Sequence, residues 1–266
     1  MIEIIIPAYN CVSTLKRALD SLRQQNDKNF TVLLIDDCSS QDIYSIIDSY
    51  KESLSIRYVR NEVNRGVGMT RQRGIDETLA EYITFLDADD MLLPNAVNNW
   101  NEEINKNEPD VIYSPFIYVW MGGRQVKDYF WMCHGKVYKT SFLRQYDIRE
   151  SEQVKCIDDG YLNWQAFDLA ENVSLLTVPT YVQIYTKDSV TDSKDFSKKA
   201  IEDVALAKKL AIKRISRFKD NPFDNYENYY SRVKELVIMC EKDNKRILRD
   251  ITYKSVTDLI FDEYVT

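Results

Sequence analysis

The sequence predicts an α/β domain built on a mostly parallel sheet, followed by a helical appendage. Three observations predict it. Short β-branched runs alternate with helical periodicity through residues 1–86. Those runs are predominantly apolar, as strands covered on both faces by helices must be. From about residue 193 onward the pattern is helical, with Pro222 as its clearest breaker.

The elements follow in order. "IEIII" (2–6) is the first strand, and "VSTLKRALDSLRQQ" (12–25) sets Val12, Leu15, Ala18, Leu19 and Leu22 at helical spacing. "TVLLI" (31–35) is a second strand, and "QDIYSIIDSYKE" (41–52) a helix through Ile43, Ile46, Ile47 and Tyr50. "IRYV" (56–59), a helix over 67–80 and the strand "EYITFL" (81–86) complete a βαβαβαβ order. A helix starts after Pro94, a residue suited to a first helical turn. "DVIYSPFIYVWM" and "RQVKDYFWM" flank Gly122 and Gly123 and read as a hairpin. "YKTSFLRQY" and "DDGYLNWQAFDLA" read as helices, and "VSLL" and "TYVQIYT" as strands.

The 266 residues, 44% hydrophobic and 29% charged, describe a globular chain able to bury a sizeable core. A net charge of −7 excludes bulk attraction to nucleic acid or anionic membranes. Five widely spaced cysteines with no CxxC suit free thiols in a reducing compartment. The start, "MIEIIIPAYN", is a strand and not a signal peptide, so the expected location is the cytoplasm.

The acidic residues point to chemistry. Asp36 and Asp37 follow one strand, Asp87 and Asp89 another, and Tyr9 and Asn10 the first. All sit at the carboxyl ends of expected parallel strands, where open α/β sheets bind ligands. An aspartate there is often a helix N-cap, and Asp37 could cap the second helix. Capping does not need paired carboxylates, however. At i and i+2 of an extended segment, Asp87 and Asp89 would point the same way. That pair suits Mg²⁺ or Mn²⁺ completed by substrate phosphates. "PAYNC" has no glycine after the first strand, and "GVGMTR" fails GxGxxG at Arg71, so dinucleotide and P-loop sites are disfavoured.

Together, "IIIPAYN", "LLIDDCSSQD", "NRGVGMTRQRGID" and "YITFLDADDML" resemble the family-2 glycosyltransferases of the GT-A fold. The resemblance covers roughly residues 1–115 strongly and 133–191 more loosely. It implies a nucleotide-diphosphate-sugar donor, commonly UDP-linked, a divalent cation (Mn²⁺ or Mg²⁺) and inversion at the anomeric carbon. By the same resemblance, Pro7 and Tyr9 line the nucleoside pocket, Asp37 reads the nucleobase and Arg71 lies near the donor. Asp87 and Asp89 match the DxD motif, Asp89 as the metal ligand and Asp87 on the ribose or sugar side. Asp159 of "KCIDDGYLN" matches the catalytic base, with Asp158 as its fallback. Lys187 in "YTKDSVT" stands where relatives often carry an arginine for donor phosphates. The sole histidine, His134, suits a structural role or the acceptor side.

The expected organisation is a nucleotide-sugar half (1–115), an acceptor half (116–192) and a helical extension (193–266). The acceptor is a glycan or lipid-linked sugar in preference to DNA. "KKLAIKRISRFK" (208–219) carries six basic residues and no acidic one. It suits peripheral docking at the inner membrane face, although a solvated face of a packed helix explains it more simply. Two rival functions stay open: a DNA glycosyltransferase acting on a hydroxylated base, and a non-catalytic module that only binds nucleotide sugars.

Overall fold

The computed structural model describes residues 1–120, 123–127, 132–185 and 194–234. Strands β1 (Ile2–Ala8), β2 (Phe30–Asp36), β3 (Ile56–Arg60) and β4 (Tyr82–Phe85) pair in parallel. Helices α1 (Val12–Arg23), α2 (Tyr44–Asp48) and α3 (Val67–Glu77) connect them. Then come β5 (Met91–Leu92), α4 (Ala96–Asn107), β6 (Val111–Tyr113), β7 (Phe116–Trp120), β8 (Gly123–Lys127) and β9 (Lys136–Lys139). The order ends with α5 (Thr140–Gln145), α6 (Asp158–Leu169), β10 (Val173–Leu175), β11 (Tyr181–Ile184) and α7 (Lys194–Ile215). Residues 224–234 are again helical.

The main sheet has the order β10-β6-β9-β4-β1-β2-β3. Side chains of a strand alternate between faces, so each apolar run feeds two cores. Ile2, Ile4 and Ile6 of β1, with Val32 and Leu34, join α1, α2 and α4 on one side. Ile5, Leu33 and Ile35 face α3, α5, α6 and α7 on the other. Helix α3 lies directly on β1: a Cβ on Gly74 would meet Ile5 Cγ2 at 2.5 Å. This is the GT-A fold expected from the sequence.

Three local expectations are corrected. β9 was not foreseen. It runs antiparallel between β4 and β6, and it is short and passes straight into α5. Its Lys136 side chain is wholly buried, which disguises the strand's apolar face. The Lys136 ammonium donates to the Met132 carbonyl and lies over the Tyr113 ring, and burial lowers its pKa to about 7. The second helix is only Tyr44–Asp48, because from Ser49 to Lys51 the N–H groups bond three residues back, to Ile46, Ile47 and Asp48, in tighter turns. Finally, residues 87–90 form a turn, closed by Asp90 N–H to the Asp87 carbonyl at 3.0 Å, and not an extended segment. The i,i+2 argument for Asp87 and Asp89 therefore fails, although the turn still brings both to one cleft.

A second sheet, β5-β11-β7-β8, packs Met91, Leu93, Ile117 and Val182 together, and the expected hairpin is its β7–β8 pair. Helix α7 ends at Ile215 and buries Ala207, Ala211 and Ile215 against the second core. Arg214 and Arg217 of the basic segment pair with Asp147, and Lys219 with Asp168. Among the described residues no helix is long and apolar enough to cross a membrane. Cys11, Cys38, Cys133 and Cys156 are free thiols; Cys240 lies outside the described residues.

Candidate active site

Parallel pairing brings the ends of β1, β2 and β4 to one edge, and the site is built there. The end of β1 supplies Pro7 and Tyr9, and Tyr9 is half exposed. Asn10 follows at φ 48°; its N–H donates to Ser39 Oγ at 3.0 Å and its Oδ1 accepts from Ser40 N–H at 2.9 Å. The loops after β1 and β2 are thereby locked together.

The two aspartates ending β2 differ in role. Asp36 is wholly buried and accepts from Tyr58 Oη and Ser39 N–H, both at 2.8 Å, and from Arg60. It holds the sheet edge. Asp37 does not cap α2. Its Oδ1 accepts from Asn61 Nδ2 at 2.7 Å and Arg65 N–H at 2.9 Å, and its Oδ2 from Gly66 N–H at 2.8 Å. Gly66 has φ 84°, a conformation glycine adopts without strain. Asp37 thus clamps the loop that starts α3 while still lining the cleft. Its Oδ2 keeps a lone pair for a further donor.

Asp87 and Asp89 emerge from the turn after β4. Arg71, projecting from α3, is the answer to their crowding. Its guanidinium is 3% exposed and donates to Asp87 Oδ1 at 2.7 Å, to Asp158 Oδ2 at 2.6 Å and to Asp159 Oδ1. Burial opposes the Arg71 charge, but Asp159 and Asp87 outweigh it and raise its pKa well above the ordinary value. Burial likewise opposes ionisation of Asp87, yet Arg71 and His134 hold its carboxyl well below the usual range. Arg71 turns inward and ties three carboxylates into one cluster behind the cavity that Asp87 lines. Asp89 is left on the open side. Burial and the Asp87 charge raise its pKa, against the opposing pull of Arg17 and His134.

The base candidates open α6. Asp159 Oδ2 accepts from Cys133 N–H at 3.1 Å. Burial pushes the Asp158 carboxyl up to about 7 despite Arg71. Gly68 makes room for it: a Cβ there would lie 2.9 Å from Asp158 Cβ.

Sequence reasoning undervalued His134. It is 2% exposed, with Nε2 at 3.3 Å from Asp87 Oδ2 and 3.8 Å from Asp90 Oδ2. Burial disfavours its charge, but the hydrogen bond to Asp87 and the Asp90 charge raise its pKa. Its ring stacks on Tyr181 at 4.5 Å. Asp90, expected to serve the local turn or the acceptor, lies in that turn, and no local signal could have found Tyr181, which lies 94 residues from Asp87. Lys187 lies outside the described residues.

A cavity of about 670 Å³ opens at this edge. Pro7, Tyr9, Asp37, Asp87 and Asp89 all line it, together with the start of α1 and Thr70 of α3. Asp158 and Asp159 stand behind Asp87, joined to it through Arg71.

The sequence model of Glycosyl transferase family 2 matches residues 3–160. The chain belongs to this family. Among curated relatives of this family-2 chain, the poly(ribitol-phosphate) beta-N-acetylglucosaminyltransferase TarS of Staphylococcus aureus is 24% identical over 199 residues, covering 67% of the chain. The poly(ribitol-phosphate) beta-glucosyltransferase of Bacillus spizizenii is 24% identical over 278 residues, covering 92% of the chain. The chain spans only 34% and 43% of the lengths of these two relatives. Among solved structures, TarS 1–349 with UDP-GlcNAc superposes with a TM-score of 0.68 at 21% identity, covering 82% of this chain and 71% of that one. A mannosyltransferase of Pyrobaculum calidifontis, solved with GDP-Man and Mn²⁺, superposes at 0.58 and 13% identity, covering 92% and 87%. At these identities the likeness is one of fold.

Proposed function

We propose that this family-2 chain moves a sugar from a nucleotide-diphosphate donor, UDP-linked by preference, to an acceptor hydroxyl with inversion. One observation carries the proposal. A single cavity gathers Tyr9, Asp37, Asp87 and Asp89, and Arg71 joins Asp87 to Asp159 behind it. Residues 1–115 then form the donor half and 116–192 the acceptor half, while the extension from 193 is helical over 194–215 and 224–234, with 235–266 outside the described residues. The TarS complex with UDP-GlcNAc supports the choice of donor.

In this reading Tyr9 stacks on the base and Asp37 accepts its N–H through the lone pair left on Oδ2. Asp89, with Asp87 beside it, would hold Mn²⁺ or Mg²⁺. The fit rests on the donor set: the hard oxygen ligands of two carboxylates that both line the cleft. A bound cation would offset the diphosphate charge and favour its departure. Asp159 takes the proton from the attacking hydroxyl. Each of its oxygens accepts one hydrogen bond, from Arg71 and from Cys133 N–H, and both retain lone pairs. Arg71 and Cys133 fix its direction, and Asp158 supports Arg71.

The acceptor is read as a glycan or a lipid-linked sugar, in line with the polymer-modifying names of the relatives. DNA is disfavoured by the net charge of −7. The internal pairing of Arg214, Arg217 and Lys219 takes charge away from both a DNA-binding and a membrane-docking face. The test is donor-dependent transfer and UDP release with Mn²⁺. Asp159→Asn should abolish transfer while UDP-sugar binding persists, and EDTA should stop the wild type. Full turnover by Asp159→Asn refutes the base, and indifference to EDTA refutes the cation.

A further inference from the structure

The turn carrying Asp87 and Asp89 is also the joint between the two sheets. β4 enters it from the main sheet and β5 leaves it into the second. β5 has two residues, and its pairing with β11 is limited to Tyr181↔Leu92 and Val182↔Met91. So short a ladder cannot fix the turn alone. Arg17 of α1 secures one side by donating to the Asp89 carbonyl.

Asp90 secures the other. It is 3% exposed and does not line the cavity. Its Oδ2 accepts from the Tyr181 hydroxyl at 2.6 Å, and its Oδ1 from Ile184 N–H at 2.8 Å. The same hydroxyl accepts the Asp87 backbone N–H at 3.2 Å. The Tyr181 ring meanwhile supports His134, whose Nε2 lies 3.3 Å from Asp87 Oδ2. Tyr181 therefore acts on both the backbone and the carboxylate of Asp87.

We propose that Asp90 and Tyr181 are positioning residues for the donor- and cation-binding turn, acting through Asp87 and Asp89 without touching donor or acceptor. The inference rests on the cation reading of Asp89 and Asp87. A Tyr–Asp pair could serve only to bind one sheet to the other. Such a joint would need neither the contact to Asp87 N–H nor the ring beneath His134. Outer partners that orient metal ligands are commonly worth 10- to 100-fold in metal affinity, and the same scale is expected here.

The experiment titrates Mn²⁺ into wild type, Tyr181→Phe and Asp90→Asn with UDP present, and reads free Mn²⁺ from its six-line EPR signal. UDP affinity without Mn²⁺ and melting temperature are measured alongside. Mn²⁺ affinity should fall about 10-fold or more in both variants, with UDP affinity unchanged. Wild-type Mn²⁺ affinity in the variants, with only the melting temperature lowered, overturns the proposal and leaves a plain joint. Should Tyr181→Phe fail to fold, Asp90→Asn decides, because Asn keeps the size and an acceptor oxygen for Ile184 N–H. A wild type that takes up no Mn²⁺ with UDP overturns the cation reading itself, and this inference with it.

Discussion

Replacing Arg71 with Met removes one side chain and strands three carboxylates. At an effective dielectric of 20, each ion pair near 4 Å is worth about 4 kcal/mol of gross attraction. Desolvation of a guanidinium that is 3% exposed cancels much of that. Removing one partner of such a buried cluster typically costs about 3–5 kcal/mol net. Domains of this kind hold about 5–15 kcal/mol in all, so Arg71→Met should fold but lose a large share of its stability. The sign of the pH effect follows from Asp87. Its folded pKa is depressed, so its contribution is present above the ordinary carboxylate range and is lost only as pH falls through the lower folded value. Wild type therefore keeps it at both pH 7.5 and pH 5.5. In the variant Asp87 loses its cation and takes up a proton more readily, so acid relieves the damage there, whereas Asp158 is already raised to about 7 in wild type. The gap between the two proteins should narrow by about 1–2 kcal/mol at the lower pH. Urea denaturation at both pH values, followed by circular dichroism and tryptophan fluorescence, measures it. A loss under about 1 kcal/mol at pH 7.5, below the cost of breaking a buried pair, would refute the keystone role of Arg71. So would an equal gap at both pH values.

Two further outcomes follow from the same geometry. Gly68→Ala puts a methyl 2.9 Å from Asp158 Cβ; overpacking of about 1–3 kcal/mol should displace the start of α6 and slow transfer while UDP binding holds, and an unchanged rate would show that α6 tolerates the shift. Glu150 is 4% exposed, neither of its carboxyl oxygens has a hydrogen-bond partner among the described residues, and burial followed by Asp158 raises its pKa well above 4.5. A raised carboxyl stabilises fully below its unfolded pKa and loses that stability as pH rises toward the folded value. Glu150→Leu should therefore gain on wild type as pH rises from 5 to 8; a pH-independent difference in denaturation midpoints would contradict this.

The fold was legible where strand burial was simple. β1, β2 and β4 are apolar on both faces because two helix layers cover them, and that requirement is written in consecutive residues. β9 was not legible, since a buried lysine breaks its pattern and its partners are set by tertiary pairing. The site was legible as chemistry but not as direction. The residues after β1, β2 and β4 could be placed at one edge from topology alone. That Arg71 faces inward depends on Asp158 and Asp159, 87 and 88 residues away, and no local spacing encodes it. His134 was undervalued for the same reason: its partners Asp87 and Tyr181 come from two different sheets.

Asp203 of α7 accepts the backbone N–H groups of both Lys155 and Cys156 at 2.8 Å. Those residues lead directly into Asp158 and Asp159. A chain cut near residue 193 would keep every motif of residues 1–115 yet release the lead-in to Asp158 and Asp159. Shuffling this core onto another C-terminal unit must therefore carry the first turns of α7 along, with Asp203 in register.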